Sequence, residues 1–89
     1  MYYVYFLMQN DSHIYTGSAS DLKRRVGQHN QGGVTSTKFK RPLTLIGYEC
    51  YALKTDAQRR ERFLKTTEGK RLLKQQYRDI ITKLNGDVA

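Results

Sequence analysis

The chain is short of cysteine, of long apolar runs and, over its first 22 residues, of basic side chains. Cys50 is its one cysteine, so neither an internal disulfide nor a cysteine-built zinc site can be assembled, which fits a reducing compartment. Its expected place is as filler in a strand. No stretch approaches the roughly 18 consecutive apolar residues that a membrane span needs, and no charged start leads into an apolar stretch and a cleavage site. These absences give an expected cytoplasmic location and no membrane partner. Repeats and low-complexity segments are absent too. A chain of 89 residues with 38% hydrophobic content can bury one modest core and not two. The expected organisation is a single domain over residues 1–84 with a short tail at 85–89.

The missing basic residues are concentrated elsewhere. All sixteen Lys and Arg lie at or after Lys23, most of them in clusters at Lys23-Arg24-Arg25, Lys38 to Arg41, Arg59 to Lys65 and Lys70 to Lys74, against eight Asp and Glu in the whole chain. The net charge is +8 and the pI about 9.8, a profile suited to phosphate partners. A merely soluble basic surface is the plainer explanation; the size of the imbalance favours a nucleic-acid surface. Charge by itself does not separate binding from cleavage.

Residues 2–8, YYVYFLM, are aromatic and β-branched enough for a strand, and 13–17, HIYTG, for its partner across Gln9-Asn10-Asp11-Ser12. Ser20 suits the N-cap of a short helix, DLKRRVGQHN, which Gly32-Gly33 stop. A polar basic loop over 31–42 ends at Pro42, and LTLIGYECYAL reads as a third strand, dense enough in apolar residues to be central or covered on both faces. Thr55 or Asp56 can cap a second helix, and Gly69 marks the break before a last one, KRLLKQQYRDIITKL. The order β-β-α-β-α-α predicts an α+β domain, a three-stranded antiparallel sheet flanked by helices.

Hairpin parity sharpens this. Directly opposed residues share a face, so Tyr5 and Tyr15 lie together only if the loop has an odd number of residues. A loop of Asn10-Asp11-Ser12 pairs Leu7 with Tyr15 and Tyr5 with Gly17. It also sends Val4, Phe6, Met8 and Ile14 to the opposite, wholly apolar face, the natural core side. On the first helix, the stripe begun by Leu22 and Val26 is completed by Arg25 and His29, four residues apart and therefore side by side. Snorkelling at the rim of the core is the plain explanation for each taken singly; the pair can also face one small ligand. On the second helix, Glu61 falls on the packing side with Ala57 and Leu64, amid Arg59, Arg60, Arg62 and Lys65. An ion pair is the usual fate of such a carboxylate, and a ligand for a hard divalent cation is the functional alternative, since Mg²⁺ often takes only one or two protein carboxylates.

Taken in order, these residues resemble the GIY-YIG nuclease superfamily, most of all its small stand-alone bacterial members. Tyr3-Val4-Tyr5 matches the first motif and Tyr15-Thr16-Gly17 the second; Arg25 falls on the motif arginine, His29 on a position often His or Tyr, and Glu61 on the metal-ligand glutamate. Tyr3 replaces the motif glycine and Thr16 its isoleucine. The later asparagine of the family has no assigned counterpart among Gln75, Gln76 and Asn85, and no second, sequence-reading domain accompanies the motifs.

The resemblance implies a metal-dependent endonuclease hydrolysing DNA phosphodiester bonds, directed by structure or damage, with little sequence choice of its own and with RNA or a guiding protein partner left open. One Mg²⁺ or Mn²⁺ ion on Glu61 would bind a phosphate oxygen and the leaving group. Arg25 would stabilise developing charge. Tyr5 or Tyr15 would orient or deprotonate the water if neighbouring cations lower its pKa, with His29 as the other proton acceptor. Lys23, Arg24, Lys38, Lys40 and Arg41 are read as phosphate-contacting surface. The competing function is a non-catalytic nucleic-acid-binding module on the same fold. Oligomeric state and pathway are not encoded in these features.

Overall fold

The aromatic opening residues form the middle of the sheet rather than its margin. In the computed structural model, which describes residues 1–86, the elements are β1 (Tyr2–Met8), β2 (Ile14–Ala19), α1 (Leu22–Asn30), β3 (Thr44–Tyr51), α2 (Lys54–Leu64), α3 (Thr67–Gln76) and α4 (Arg78–Gly86). The antiparallel sheet has the order β2-β1-β3. The third strand is thus an edge strand and not a central one: Leu45 and Tyr48 are exposed, and so is Cys50, which fills no interior space.

The hairpin register places Tyr5 opposite Gly17, Leu7 opposite Tyr15 and Met8 opposite Ile14. The Gln9 N–H donates to the His13 carbonyl at 2.8 Å, leaving Asn10-Asp11-Ser12 as an odd three-residue loop with Ser12 at a positive φ of 68°. Alternation then sorts the side chains. Val4 and Phe6 pack against Ala57, Leu64 and Leu73 from α2 and α3, with Tyr2 beside them. Tyr5 and Leu7, on the other face, pack against Leu43, with Tyr15, Ala19, Leu22 and Val26 around them. Both faces are therefore covered, and each fully buried large side chain contributes roughly 1.5–3 kcal/mol.

Several boundaries differ from the sequence reading for local reasons. Asp21, not Ser20, caps α1, its carboxylate accepting from the Arg24 N–H. Leu53 stands at the N-cap of α2 with no side-chain cap, so neither Thr55 nor Asp56 has that role. Thr66 caps α3 through its hydroxyl. Gly69 lies inside α3, where a Cβ would collide with the Phe63 carbonyl; the residue permits the tight α2–α3 corner instead of breaking a helix. The long last helix divides at Tyr77, giving α3 and α4. α4 runs to Gly86, into the span read as tail, and residues 87–89 lie outside the described part.

After α1 the chain turns at Gly32, whose φ of +79° suits glycine. The basic loop then folds back on the domain, burying Val34, Thr37 and Leu43. Asn10 ties it to the hairpin, its N–H donating to the Lys40 carbonyl and its amide to the Arg41 carbonyl, both at 2.9 Å. Among the described residues no helix is long and apolar enough to cross a membrane.

Candidate active site

β1, β2 and α1 bring Tyr5, Tyr15, Arg25 and His29 to one face of the sheet. Tyr5 is 1% exposed and lies over Gly17, where a Cβ would come within 2.5 Å of its hydroxyl. Only glycine leaves room there. The Tyr5 Oη is 2.8 Å from His29 Nε2, and His29 Nδ1 is 2.8 Å from Thr37 Oγ1. The Thr37 hydroxyl reaches the Val34 carbonyl at 3.5 Å. One proton assignment satisfies every group: Thr37 donates to Val34, His29 donates its Nδ1–H to Thr37, and Tyr5 donates to the bare Nε2. Tyr15, half-buried, closes the cluster, its ring centroid 5.0 Å from His29 and 6.3 Å from Tyr5.

Burial governs the protonation of this cluster. It pushes the Tyr5 phenol up to about 12, although the Arg25 guanidinium beside it pulls the other way. The expected lowering of a tyrosine by its neighbouring cation is thus overturned at Tyr5, because loss of hydration outweighs the cation. Burial also lowers His29, and the charge of Arg25 adds to that. Both partners are neutral near pH 7. Arg25 is half-buried, with Nη1 donating to Gln28 Oε1 at 3.1 Å.

Glu61 arrives from α2. Its Oε1 accepts from the Ser18 hydroxyl at 2.6 Å and its Oε2 from Lys65 Nζ at 2.8 Å. Partial burial raises its pKa, but Lys65, Ser18 and Arg62 together outweigh this and leave the carboxyl below its usual value. Its charge registers at Tyr5, as the smallest of the influences on that phenol. Of the four surrounding cations, Arg60 is committed to Glu49 and Arg59 to Asp56, and Lys65 is the one that pairs with Glu61 among the described residues.

The basic residues divide. Lys23 and Arg24 face a shallow surface on the outer side of α1, with Asp21 and Gln31. Lys40 is held by Asp11 at 2.8 Å, Arg41 Nε donates to the Lys38 carbonyl, and the Lys38 ammonium lies over the Phe39 ring. Ser12 donates to Asn85 Oδ1 at the hairpin turn. Sequence reasoning missed Thr37 and Ser18 and did not single out Lys65 among the four cations around Glu61. Nothing in a polar loop distinguishes Thr37, whereas the spacing of four between Glu61 and Lys65 was there to be used.

A family model of the GIY-YIG catalytic domain matches residues 1–78. The chain belongs to the GIY-YIG nuclease family. A UPF0213 protein of Staphylococcus epidermidis is 40% identical over 74 residues, covering 82% of this chain and 90% of that one. One from Staphylococcus aureus is 41% identical over 66 residues, covering 73% and 80%. The solution NMR structure of a UPF0213 protein from Bacillus halodurans aligns with a TM-score of 0.53 at 32% identity, over 82% of each chain. The residues read from the sequence as the two motifs lie on β1 and β2, and Gly17, read as the end of the second, sits beneath the Tyr5 hydroxyl.

The donor set can be tested against a divalent ion. Among the described residues no three His, Cys, Asp or Glu side chains gather into a metal-binding group. Glu61 is a single hard carboxylate, ionised and partly exposed, already holding an ammonium at 2.8 Å where a cation would sit. That fits an ion of Mg²⁺ type, which leaves most of its coordination to water and substrate phosphate.

Proposed function

We propose that this GIY-YIG domain hydrolyses phosphodiester bonds of DNA with the help of one Mg²⁺ or Mn²⁺ ion, selecting targets by structure or damage more than by sequence. The observation that carries the proposal is the Tyr5–His29 hydrogen bond of 2.8 Å with Tyr15 and Arg25 beside it. It joins a proton donor and a basic nitrogen under a cation suited to phosphate.

Glu61 would hold the ion, with Lys65 giving up Oε2. An ion bound there would supply neutralising charge to the reacting phosphate. Arg25 presents its planar donor fork to the phosphate. The half-buried Tyr15 hydroxyl orients the attacking water. As that water attacks phosphorus, its proton passes to Tyr5 Oη while Tyr5 gives its own to His29 Nε2. The return of that proton to the departing 3′-oxygen restores the neutral pair. Thr37 fixes the tautomer that leaves Nε2 free.

A second reading, a binding module without turnover, draws on the occupation of both Glu61 oxygens and on the high pKa of Tyr5. A cleavage assay on single-stranded, duplex and branched DNA with Mg²⁺ or Mn²⁺ decides between them. Wild type should cut at least one substrate, Glu61→Ala should lose this by roughly 10²-fold or more, and Tyr15→Phe should be impaired. Absence of cutting by wild type, or equal cutting by Glu61→Ala, rules the nuclease mechanism out.

A further inference from the structure

A cleft of about 420 Å³ opens where β2 meets the α2–α3 pair, and Tyr15 is part of its wall. Its floor is apolar, formed by Ile14, Leu64 and Leu73, while Lys40, Lys65, Lys70 and Lys74 stand over it against one lining carboxylate, Asp11. Ammonium groups above a low-dielectric floor focus positive potential into the space between them. Two are already committed, Lys40 to Asp11 and Lys65 to Glu61. Among the described residues Lys70 and Lys74 have no carboxylate partner. They are four apart on α3, so they repel across one helical face. The pair is arranged for an anion from outside.

We propose that this cleft is a phosphate track for a DNA strand: Lys70 and Lys74 contact backbone phosphates flanking the bond to be cut, and Lys65 and Tyr15 mark the end nearest Glu61 and Tyr5. The proposal rests on the nuclease reading for its orientation, while the binding itself needs no cleavage. It places the principal contact surface on α3, not on Lys23 and Arg24, which open onto a separate surface. The contacts are to phosphate, so they position the strand without reading its bases.

The test is fluorescence polarisation of a short labelled oligothymidylate, without divalent metal, across a salt series, for the full chain. Lys70→Ala/Lys74→Ala should lower the slope of log affinity against log salt by about 1.4, since each single-strand phosphate contact contributes roughly 0.7, and should weaken binding roughly 10- to 25-fold at about 0.1 M salt. Arg78→Ala/Lys83→Ala on α4 removes the same charge from residues that do not line the cleft and should leave the slope within about 0.3 of wild type. Both lysines are exposed on a helix where alanine is favourable, and an unchanged melting temperature checks that folding is intact. An unchanged slope in the α3 variant overturns the proposal, as does an equal loss in the α4 variant. An oligouridylate held more tightly, with the same lysine dependence, replaces DNA by RNA as the ligand. Wild type that binds neither oligonucleotide overturns this track, while the nuclease reading stands or falls by the cleavage assay. Wild type that binds through α3 but never cuts keeps the track and removes only the turnover.

Discussion

Replacing Thr37 by valine removes one hydroxyl and little volume from a residue that is 0% exposed. His29 then has no partner for Nδ1. If Nδ1 keeps its proton, a buried donor is unsatisfied; if the imidazole switches to the Nε2–H tautomer, a buried acceptor is. Either outcome costs about 1–3 kcal/mol, which for a domain of this size is a fall of roughly 5–20 °C in melting temperature. Thr37→Ser is the control. It loses one methyl group, about 1 kcal/mol, and keeps the hydroxyl that fixes the tautomer. Urea denaturation measures the stabilities, and ¹⁵N NMR of His29 shows which ring nitrogen carries the proton. Wild type and Thr37→Ser should have Nδ1 protonated, and Thr37→Val should lose that pattern. If the nuclease reading holds, kcat should fall roughly 10²-fold or more in the valine variant with KM little changed, and recover in serine. A valine variant as stable as wild type, or a wild type already protonated on Nε2, refutes the relay.

Two glycines separate space from flexibility. Gly17→Ala places a methyl group against the Tyr5 hydroxyl and should cost about 1–3 kcal/mol while displacing Tyr5 from His29; Gly27→Ala, with nothing near its Cβ, should stabilise α1 by about 0.5–1 kcal/mol. Denaturant midpoints of the two variants should move in opposite directions. His29 also makes stability depend on pH. Its folded pKa lies below the ordinary 6.5, so the unfolded chain takes up its proton first; this contribution is complete above about 6.5 and is lost as pH falls toward the folded value. Thermal melts between about pH 5 and 7 should show a steeper loss for wild type than for His29→Gln.

The hairpin was legible because a period-two pattern admits only two registers, and only the odd loop gathered Val4, Phe6 and Ile14 on one side. The Arg25–His29 pair was legible for a similar reason, polar residues interrupting an otherwise apolar stripe. The edge position of β3 was not. An apolar run says how much a strand buries if covered, whereas strand order depends on which partner wins the hydrogen bonds, and β1 pairs on both sides. The corner at Gly69 misled for a local reason: glycine marks a break when its freedom is used and a close approach when its missing Cβ is used, and the Phe63 carbonyl shows the latter. Thr37 was illegible because its partner lies eight residues back on a helix, a tertiary contact without a local signature.

The two coverings of the sheet bear directly on which group accepts a proton. Had the tyrosine face been open, Arg25 would have acted on a hydrated phenol and lowered its pKa toward working pH. Covered by α1 and the loop through Thr37, the phenol is pushed up to about 12 and the imidazole is lowered. Free tyrosinate at Tyr5 is therefore scarce, and the phenol gives its proton to His29 only as it takes one from the water. A proton moving through Tyr5 to His29 thus fits, provided that His29 starts neutral and Tyr5 protonated. The cleavage rate should accordingly drop only below His29's lowered pKa and stay level from about pH 6.5 to 9. A tyrosinate base with an ordinary pKa near 10 would instead make the rate climb about tenfold per unit over that interval. A level profile that loses its acid limb in His29→Gln supports the relay, and a unit slope up to pH 9 refutes it.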